Sequence, residues 1–335
     1  MNKTTINWGI IGCGDVTEMK SGPAFNKVNN SKLVAVMRRD ASKAADYAMR
    51  HNVPKWYDDA GKVINDEEVN AIYIATPPSS HAEYTLAAVK AGKPVYVEKP
   101  MTLDKGTALK MTAAANVAGV KLVVAHYRRQ MPYFKKIKEL LDAGSVGKPL
   151  MAKLEYYKRP LTREELAVTK NAWRVDPAIA GGGLFHDLAP HQLDLLYYFL
   201  GEITTAHGVA TNQSGLYKAD DVVAGNILFK SGAVFTGSWC FSVPVAEERD
   251  VCEIIGTKGK IVFSFFEMKT FKLITGNKTT DFTIDTPVHV QQPMIEKVVD
   301  YFLGKTGNPC SGEDGALVMN LVDTLSVNRK ITLPR

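Results

Sequence analysis

The sequence predicts an α/β fold in which a doubly wound parallel sheet is followed by a second α/β domain with a mostly antiparallel sheet. Two observations predict the first part: apolar strands alternate with helical segments, and a glycine turn follows the first strand. One observation predicts the second: from Thr204 onward, short strands follow each other with turn residues between them, as at residues 230–232. We therefore expect one domain at residues 1–125 and another at residues 126–335.

The composition is that of an ordinary globular protein. The chain has 335 residues, 45% hydrophobic and 23% charged, and its net charge of +6 fits an anionic cofactor or substrate. No Lys/Arg run is dense enough to indicate nucleic acid binding. The 4 cysteines form no CxxC pair, which argues against a zinc site and for a reducing compartment. No signal-peptide pattern and no apolar run of roughly 20 residues is present, so we expect a cytoplasmic protein without membrane contact.

The first candidate site is the glycine turn between the strand Ile6–Ile11 and the next apolar run at residues 33–36. Gly12 would form the tight turn, and Gly14 would let the backbone approach a pyrophosphate at the start of a helix. Thr17 occupies the third small position and is bulkier than Gly or Ala. Strand, glycine turn, helix and strand in this order predict a dinucleotide-binding domain. The expected contacts are Gly12, Cys13, Gly14, Asp15 and Val16.

Arg38 and Arg39 stand where the second strand is expected to end. NAD-binding chains often have an acidic residue there, about 20 residues beyond the glycines, whereas an arginine accommodates the 2′-phosphate of NADP. Both guanidinium groups could pair with that phosphate, so we expect NADP to be preferred. Two solvated arginines are the alternative interpretation. Asp40 could still reach a ribose hydroxyl, which leaves NAD open.

Lys99 follows the short strand Val95–Val97 directly. Ligands of open α/β sheets bind beyond the carboxyl ends of the strands. The ammonium group of Lys99 is therefore expected where it could reach a substrate oxygen. A surface lysine before a loop proline is the alternative interpretation. Tyr127 and Arg128 come after the last strand of the first domain and could border the same cleft.

Asp187, His191 and Asp194 follow a run of three glycines at helical spacing. A histidine between two carboxylates on an apolar background is suited to moving a proton near neutral pH. Pro190 predicts that the helix either kinks or begins there, and Asp187 joins the other two only if the kink is mild. The alternatives are a buried histidine with a structural role and a metal site built from the three side chains.

Together these motifs resemble those of the glucose–fructose oxidoreductase/inositol dehydrogenase (Gfo/Idh/MocA) family. The matches run in the expected order from residue 6 to about residue 200, and each motif alone is only modestly specific. The resemblance implies a Rossmann domain, then an α/β domain with a large, open, mostly antiparallel sheet. It also implies a nicotinamide cofactor and a sugar, polyol or related cyclic alcohol as substrate. The matching motifs are Gly9–Gly14, Ile74–Pro77 with His81, Ala91–Lys93, Glu98–Pro100, and Gly181–Gly183 with Asp187, His191 and Asp194.

The resemblance also implies residue roles. Lys99 corresponds to the family's catalytic lysine, Asp187 to its acid and His191 to its proton-transferring histidine, and the Lys99–Pro100 bond would be cis. It places Trp173 and Arg174 near nicotinamide and substrate; an aromatic loop anchor and a surface arginine are the alternative. Further cofactor contacts are expected from Ala75, Thr76, Pro77, His81, Glu98 and Lys99. Substrate contacts are expected from Lys99, Tyr127, Arg128, Trp173, Asp187 and His191.

These observations predict an NAD(P)-dependent dehydrogenase or reductase acting on CH–OH, with no metal. His191 would accept the hydroxyl proton and Lys99 would stabilise developing negative charge on oxygen, while the cofactor carries the hydride chemistry. One alternative is a glycosidase that retains NAD and gives no net redox change, as some members of the family do. Another is a non-catalytic sensor that binds a dinucleotide, which would have no need of the proton-transfer residues.

Self-association is predicted from the second sheet. The helices of the sequence are enough to cover one of its faces, and exposed aromatic residues on the other would form a large apolar patch for a monomer. Phe235, Trp239 and Phe241 alternate with smaller residues along one strand. Members of the family commonly associate through this open face. We therefore expect a homodimer or homotetramer formed through the C-terminal sheet.

Overall fold

The computed structural model of the protein describes residues 4–326, except the side chains of residues 169 and 170. The chain divides into two compact units. One, called here the Rossmann unit, contains residues 4–131 together with Pro287–Met319. The other, called the sheet unit, contains Pro132–Thr286 and residues 320–326.

The Rossmann unit is built on a six-stranded parallel sheet in the order β3-β2-β1-β4-β5-β6. The strand order reverses between β1 and β4, which is where ligands bind in sheets of this kind. The predicted doubly wound parallel sheet is therefore confirmed. Its strands are β1 (Ile6–Ile11), β2 (Ser31–Met37), β3 (Lys55–Tyr57), β4 (Ala71–Ile74), β5 (Val95–Val97) and β6 (Leu122–Val124).

Three of the helices in the Rossmann unit begin at side-chain caps. Asp40, Asp59 and Asp104 each accept hydrogen bonds from backbone N–H groups at the start of the helix that follows, and such caps stabilise a helix by about 1 kcal/mol. The helices are α1 (Asp15–Met19), α2 (Ala41–Arg50), α3 (Ala60–Asn65), α4 (His81–Lys90) and α5 (Lys105–Val117). Short 3-10 helices lie at Gly22–Asn26, Pro78–Ser80 and Tyr127–Gln130.

The sheet unit contains an eight-stranded sheet in the order β14-β13-β12-β11-β7-β10-β9-β8. Strands β7 and β10 pair in parallel, and all other neighbours are antiparallel. The mostly antiparallel sheet is thus confirmed. The strand at Lys278–Thr283 was not predicted from the sequence. The strands are β7 (Pro149–Tyr157), β8 (Ile203–Thr211), β9 (Val222–Phe229), β10 (Val234–Cys240), β11 (Arg249–Gly256), β12 (Lys260–Phe263), β13 (Thr270–Thr275) and β14 (Lys278–Thr283).

One face of this sheet is covered by helices. Phe185 packs against Trp239 of β10 with ring centroids 5.1 Å apart, and Phe199 packs against Phe263 of β12 at 6.0 Å. Burial of these large aromatic groups provides much of the hydrophobic stabilisation of the unit. The helices are α6 (Pro132–Asp142), α7 (Arg163–Ala167), α8 (Thr169–Ala172), α9 (Pro177–Ala180) and α10 (Gly183–Leu200), with 3-10 helices at Trp173–Val175 and Val245–Glu247.

The opposite face of the sheet differs from the expectation. The large residues Phe235 and Trp239 are fully buried, and Phe241 is 1% exposed, so the aromatic residues expected on an open face are in the core. The residues between them on β10, including Thr236 and Ser238, are half-buried. Alternation along a strand assigns these two sets to opposite faces. The open face of the sheet is therefore polar and aliphatic rather than aromatic.

The chain returns to the Rossmann unit after β14. Phe302 packs on Trp8 of β1 with ring centroids 5.6 Å apart, and the backbone N–H of Val124 in β6 donates to the carbonyl of Cys310 at 3.0 Å. The predicted cap at Ser311 is confirmed, since its Oγ accepts from the N–H of Asp314 at 3.1 Å. The returning helices are α11 (Gln292–Phe302) and α12 (Gly312–Ser326), of which the residues up to Met319 belong to the Rossmann unit.

Candidate functional site

The glycine turn after β1 is shaped by two different requirements. Gly12 has a φ of +97°, and a Cβ there would lie 2.7 Å from Cγ2 of Thr76, so the fold itself demands glycine. A Cβ at Gly14 would meet nothing within 4 Å. Protein packing therefore does not explain Gly14, whereas the close approach of a pyrophosphate does. The turn fits the dinucleotide predicted from the sequence.

Thr17, the departure from the glycine-rich pattern, closes this turn. Its Oγ1 donates to the carbonyl of Gly14 at 2.7 Å, and its own carbonyl accepts from Oη of Tyr47 at 2.9 Å. Burial raises the pKa of Tyr47 to about 12, which keeps the phenol protonated as a donor. The threonine is fully buried, and these hydrogen bonds link it to the turn and to Tyr47. Burial likewise raises the pKa of Cys13 to about 11, so its thiol stays protonated.

Arg38 lies against the glycine turn, with Nη1 donating to the carbonyl of Cys13 at 3.4 Å. Arg39 is exposed beside it. Asp40 is engaged otherwise: its Oδ1 accepts from Oγ of Ser42 at 2.6 Å and from the N–H groups of Ser42 and Lys43. The hydrogen bond from Ser42 lowers the pKa of Asp40 to about 2. The carboxylate is thus used as a helix cap.

His81 connects two of the predicted cofactor segments. It is fully buried, with Nε2 2.7 Å from the carbonyl of Thr76 and Nδ1 3.0 Å from that of Pro100. Burial lowers its pKa, while the two carbonyls act in the opposite direction. The ring therefore links the segment after β4, which includes Ala75, Thr76 and Pro77, to the segment after β5.

Lys99 lies in the segment after β5. The Lys99–Pro100 peptide bond is cis, as the family resemblance implied. Lys99 is half-buried, and its backbone N–H donates to Oε2 of the buried Glu98 at 3.2 Å. Tyr127 and Arg128 follow β6 in a short 3-10 helix and are buried, with the Arg128 guanidinium carbon 5.6 Å from the centre of the Tyr127 ring.

The titratable candidate residues that follow the glycine run lie on one helix of the sheet unit. Helix α10 continues through Pro190, so Asp187, His191 and Asp194 all belong to it. His191 is 5% exposed and Asp194 1%, while Asp187 is half-buried. All three residues therefore share one continuous helix at helical spacing, and their joint role stays a prediction.

Two more predicted residues join this group. Nε of Arg174 lies 3.2 Å from Oδ2 of Asp187. The guanidinium carbon of Arg174 also lies 4.6 Å from the centre of the Trp173 ring. Trp173, Arg174 and Asp187 therefore form one contact chain within the sheet unit, linked to His191 through α10.

His186, the neighbour of Asp187, has a different environment. It is 6% exposed and packs on Gly182, where a Cβ would overlap the imidazole ring. It lines a cavity of about 230 Å³ together with Lys218 and Asp220. Burial lowers its pKa to about 4, so the ring is neutral at neutral pH. Part of the glycine run is therefore explained by packing against His186.

Residues 4–326 lack two features. They contain no group of three or more His, Cys, Asp or Glu side chains arranged to hold a metal ion. The alternative of a metal site at Asp187, His191 and Asp194 thus receives no support. Over the same residues, none of the helices combines the length and apolar character needed to cross a bilayer.

The doubly wound sheet and its open glycine turn define a dinucleotide-binding protein of the Rossmann type. Residues 6–126 match the family model described as "Oxidoreductase family, NAD-binding Rossmann fold", and residues 134–262 match the GFO/IDH/MocA C-terminal domain. The protein belongs to the Gfo/Idh/MocA family and is an oxidoreductase with an NAD-binding domain. The family membership inferred from the sequence motifs is confirmed.

Curated relatives support this assignment over most of the chain. The chain is 45% identical to Oxidoreductase P35 of Formosa agariphila over 321 residues, which are 96% of this chain and 98% of that protein. It is 30% identical to scyllo-inositol 2-dehydrogenase (NAD(+)) of Bacillus subtilis over 261 residues, 76% of this chain and 73% of that protein. It is 28% identical to 1,5-anhydro-D-fructose reductase of Ensifer adhaerens over 257 residues, 76% of this chain and 74% of that protein.

Solved structures show the same fold. Levoglucosan dehydrogenase, in a complex with NADH and levoglucosan, superposes with a TM-score of 0.84 at 21% sequence identity. The alignment covers 96% of each chain. The arrangement of a Rossmann sheet followed by a large mostly antiparallel sheet is therefore shared with that enzyme.

Proposed function

We propose that the protein is an NAD(P)-dependent dehydrogenase or reductase acting on a CH–OH group of a sugar, a polyol or a related small cyclic molecule. The proposal is supported by two observations in an oxidoreductase, each within one unit: Lys99 follows β5 in the Rossmann unit, and Asp187 and His191 share α10 in the sheet unit. The printed names of the relatives agree with it, since they include a scyllo-inositol dehydrogenase and an anhydrofructose reductase.

The proposed roles follow from the chemistry of these side chains. His191 accepts the proton of the substrate hydroxyl in the oxidation direction, and Lys99 stabilises the negative charge that develops on oxygen. Asp187, paired with Arg174, orients His191 and the substrate hydroxyls. Nicotinamide, when bound, supplies or accepts the hydride. Reduction uses the same groups in the reverse sense, with Tyr127, Arg128 and Trp173 contributing to the substrate pocket.

The proposed cofactor is NADP, with NAD as the weaker alternative. Arg38 lies against the glycine turn, Arg39 is exposed next to it, and both can pair with a 2′-phosphate. The carboxylate of Asp40 is engaged in capping α2, which makes it a poor partner for a ribose hydroxyl. The remaining proposed contacts are Gly12, Cys13, Gly14, Asp15, Val16, Ala75, Thr76, Pro77, Glu98, Lys99, Trp173 and Arg174, with His81 acting through Thr76 and Pro100.

The variant Lys99→Met tests the proposal. Sugars, inositols and diketones are first screened with NADPH and NADH for a stoichiometric change in absorbance, which also separates a dehydrogenase from a glycosidase without net redox change. Lys99→Met should bind NADPH with unchanged affinity in a fluorescence titration, yet lose turnover by orders of magnitude. Lys90→Met, at an exposed lysine of α4, is the control and should turn over normally. Normal turnover by Lys99→Met would refute the assignment.

We also propose that the protein forms a homodimer or homotetramer through the open face of the C-terminal sheet. The side chains of Val209, Leu228 and Val251 there are 60%, 38% and 41% exposed. A groove of about 530 Å³ crosses the same strands and is lined by residues that include His207 and Ser238. Burying these aliphatic side chains against a second copy would remove apolar surface from water.

A reducing compartment such as the cytoplasm is the proposed location. Cys13, Cys240, Cys252 and Cys310 form no disulfide bond with one another in the described part of the chain, and all but Cys240 are buried. Disulfide bonds are common in proteins that fold in oxidising compartments and rare in the cytosol. The reduced thiols support the proposal.

A further inference from the structure

The carboxylate of Glu98 is the centre of a buried hydrogen-bond cluster in the Rossmann unit. Its Oε1 accepts from Oη of Tyr73 at 2.5 Å and from Nε2 of Gln291 at 2.6 Å. Its Oε2 accepts from the backbone N–H of Lys99 at 3.2 Å. Tyr73 and Gln291 are fully buried, and Glu98 is 6% exposed. The carboxylate therefore links two distant side chains to the backbone of the proposed catalytic lysine.

The donors around Glu98 match a carboxylate and no other common side chain. A phenol, a primary amide and a backbone N–H all point donors at it, and a carboxylate can accept about four hydrogen bonds. Burial is the main cause that raises the pKa of Tyr73 well above its ordinary range, so the phenol keeps its proton and donates. Buried networks of this kind are rigid only while every member is satisfied. The cluster thus fixes the orientation of the Glu98 side chain.

Gln291 reaches this cluster from the part of the chain that returns to the Rossmann unit. Its backbone N–H donates to the carbonyl of Lys20 at 3.1 Å, directly after α1. Next to it, Nδ1 of His289 lies 2.6 Å from the carbonyl of Met19. The side-chain Oε1 of Gln291 accepts from Oη of Tyr96 at 3.3 Å. One short segment therefore holds both the end of the helix after the glycine turn and the carboxylate beside Lys99.

We propose that Tyr73 and Gln291 are positioning residues, which hold the Glu98 carboxylate and through it the backbone from which the Lys99 side chain extends. This inference rests on the proposed function, because it takes Lys99 as the group that contacts the substrate. A displacement of a catalytic group by about 1 Å can lower a rate about 100-fold. A cluster that restricts the Lys99 backbone therefore acts on turnover more than on cofactor binding.

The two tyrosines provide a matched pair of variants. Tyr73 and Tyr96 are both fully buried, and their rings stack at 5.1 Å. Only Tyr73 donates to Glu98; the hydroxyl of Tyr96 donates to Gln291 instead. Tyr73→Phe and Gln291→Met should lower kcat about 10-fold to 100-fold, by analogy with the loss caused by removing the hydrogen-bond partners that orient metal ligands. Tyr96→Phe should lower it by far less, while all three variants keep their NADPH affinity.

A second readout does not depend on turnover. The lysines are reductively methylated with ¹³C-formaldehyde, and the Lys99 resonance is identified by its loss in Lys99→Arg. That resonance should shift in Tyr73→Phe and in Gln291→Met and stay in place in Tyr96→Phe. An unmoved resonance in Tyr73→Phe, or equal kcat losses in Tyr73→Phe and Tyr96→Phe, would overturn the inference.

Combination with Lys99→Met distinguishes this inference from the proposed function. In a single-turnover measurement with NADP⁺ and the best substrate of the screen, adding Tyr73→Phe to Lys99→Met should cause no further loss, because Tyr73 acts through Lys99. A further loss equal to that of Tyr73→Phe alone would show a structural role and overturn the inference only. If Lys99→Met itself turns over normally, both the proposed function and the inference fail.

Discussion

Nη1 of Arg38 donates to the carbonyl oxygen of Cys13 across 3.4 Å, which places a guanidinium group against the glycine turn. The side chain is half-buried and long enough to serve the turn and a ligand at its edge. The geometry supports recognition of a 2′-phosphate, a group that arginine pairs with through two parallel hydrogen bonds.

Arg38→Asp should weaken NADPH binding about 10-fold to 100-fold, which corresponds to roughly 1.5–3 kcal/mol for a hydrogen bond to a charged group. The affinity of the variant for NADH, which lacks the 2′-phosphate, should change little or not at all. Fluorescence titration with both cofactors measures the two constants. Lys32→Asp makes the same charge change at the exposed start of β2 and should alter neither. An unchanged affinity of Arg38→Asp for NADPH contradicts the assignment.

Gly12 and Gly14 should respond in opposite ways to alanine. Gly12→Ala places a Cβ at positive φ against Thr76, so we expect a loss of stability of about 1–3 kcal/mol. Gly14→Ala has open space and a negative φ of −122°, so the thermal midpoint should stay close to the wild type while cofactor affinity falls. Thermal unfolding and NADPH titration of both variants check this. A Gly14→Ala protein with normal affinity would show that the cofactor does not approach this turn.

Protonation of His186 should make the fold less stable in acid. The pKa of the buried ring is about 4 against an ordinary value of 6.5, so the unfolded chain binds the proton first as the pH falls. The stabilisation is complete above pH 6.5 and is lost between 6.5 and 4. The difference corresponds to roughly 3 kcal/mol at most.

The check for His186 is the denaturant midpoint measured from pH 7 to pH 4. His186→Gln cannot take up a proton, so its midpoint should fall less steeply over this range. Identical slopes for His186→Gln and the wild type would mean that the ring is not held neutral by burial.

Association through the open face should be sensitive to charge. Ala224 and Ser238 lie opposite each other on β9 and β10, so Ala224→Arg with Ser238→Arg places two cations at the centre of that face. Burial of unpaired charges is costly, and we expect a monomer in light scattering after gel filtration. Val117→Arg, at a residue 91% exposed on α5, is the control and should keep the wild-type mass. A variant that remains oligomeric would place the interface elsewhere.

Local patterns predicted most of the fold because most elements are bounded by strong signals. The turn at Gly12, the strand that ends before Glu98 and the cap at Ser311 were all predictable from neighbouring residues. Strand β14 was missed because Lys278–Thr283 is mostly polar and its pairing with β13 supplies the order. Pro190 was ambiguous because a proline can begin or interrupt a helix, and only the packing of α10 decides between these.

The candidate site was predictable only where its residues fall in motifs. Arg38, Lys99, Asp187 and His191 stand at recognisable positions relative to strands, glycines or each other. Gln291 does not: it lies 193 residues from Glu98 along the chain, and nothing in its neighbourhood indicates a contact. The ion pair between Arg174 and Asp187 was likewise not predictable, because it depends on how the segment before α10 folds.

The return of the chain at residue 287 has a consequence for biosynthesis. While the ribosome is still making the second unit, the nascent first unit has neither the ring of Phe302 on Trp8 nor the amide that reaches Glu98. The backbone N–H of Val124 in β6 also has no acceptor until Cys310 has been synthesised. The packing of the Rossmann unit is therefore completed late in translation, and a prematurely terminated polypeptide would expose a buried carboxylate and an unpaired strand edge to the cell's proteases.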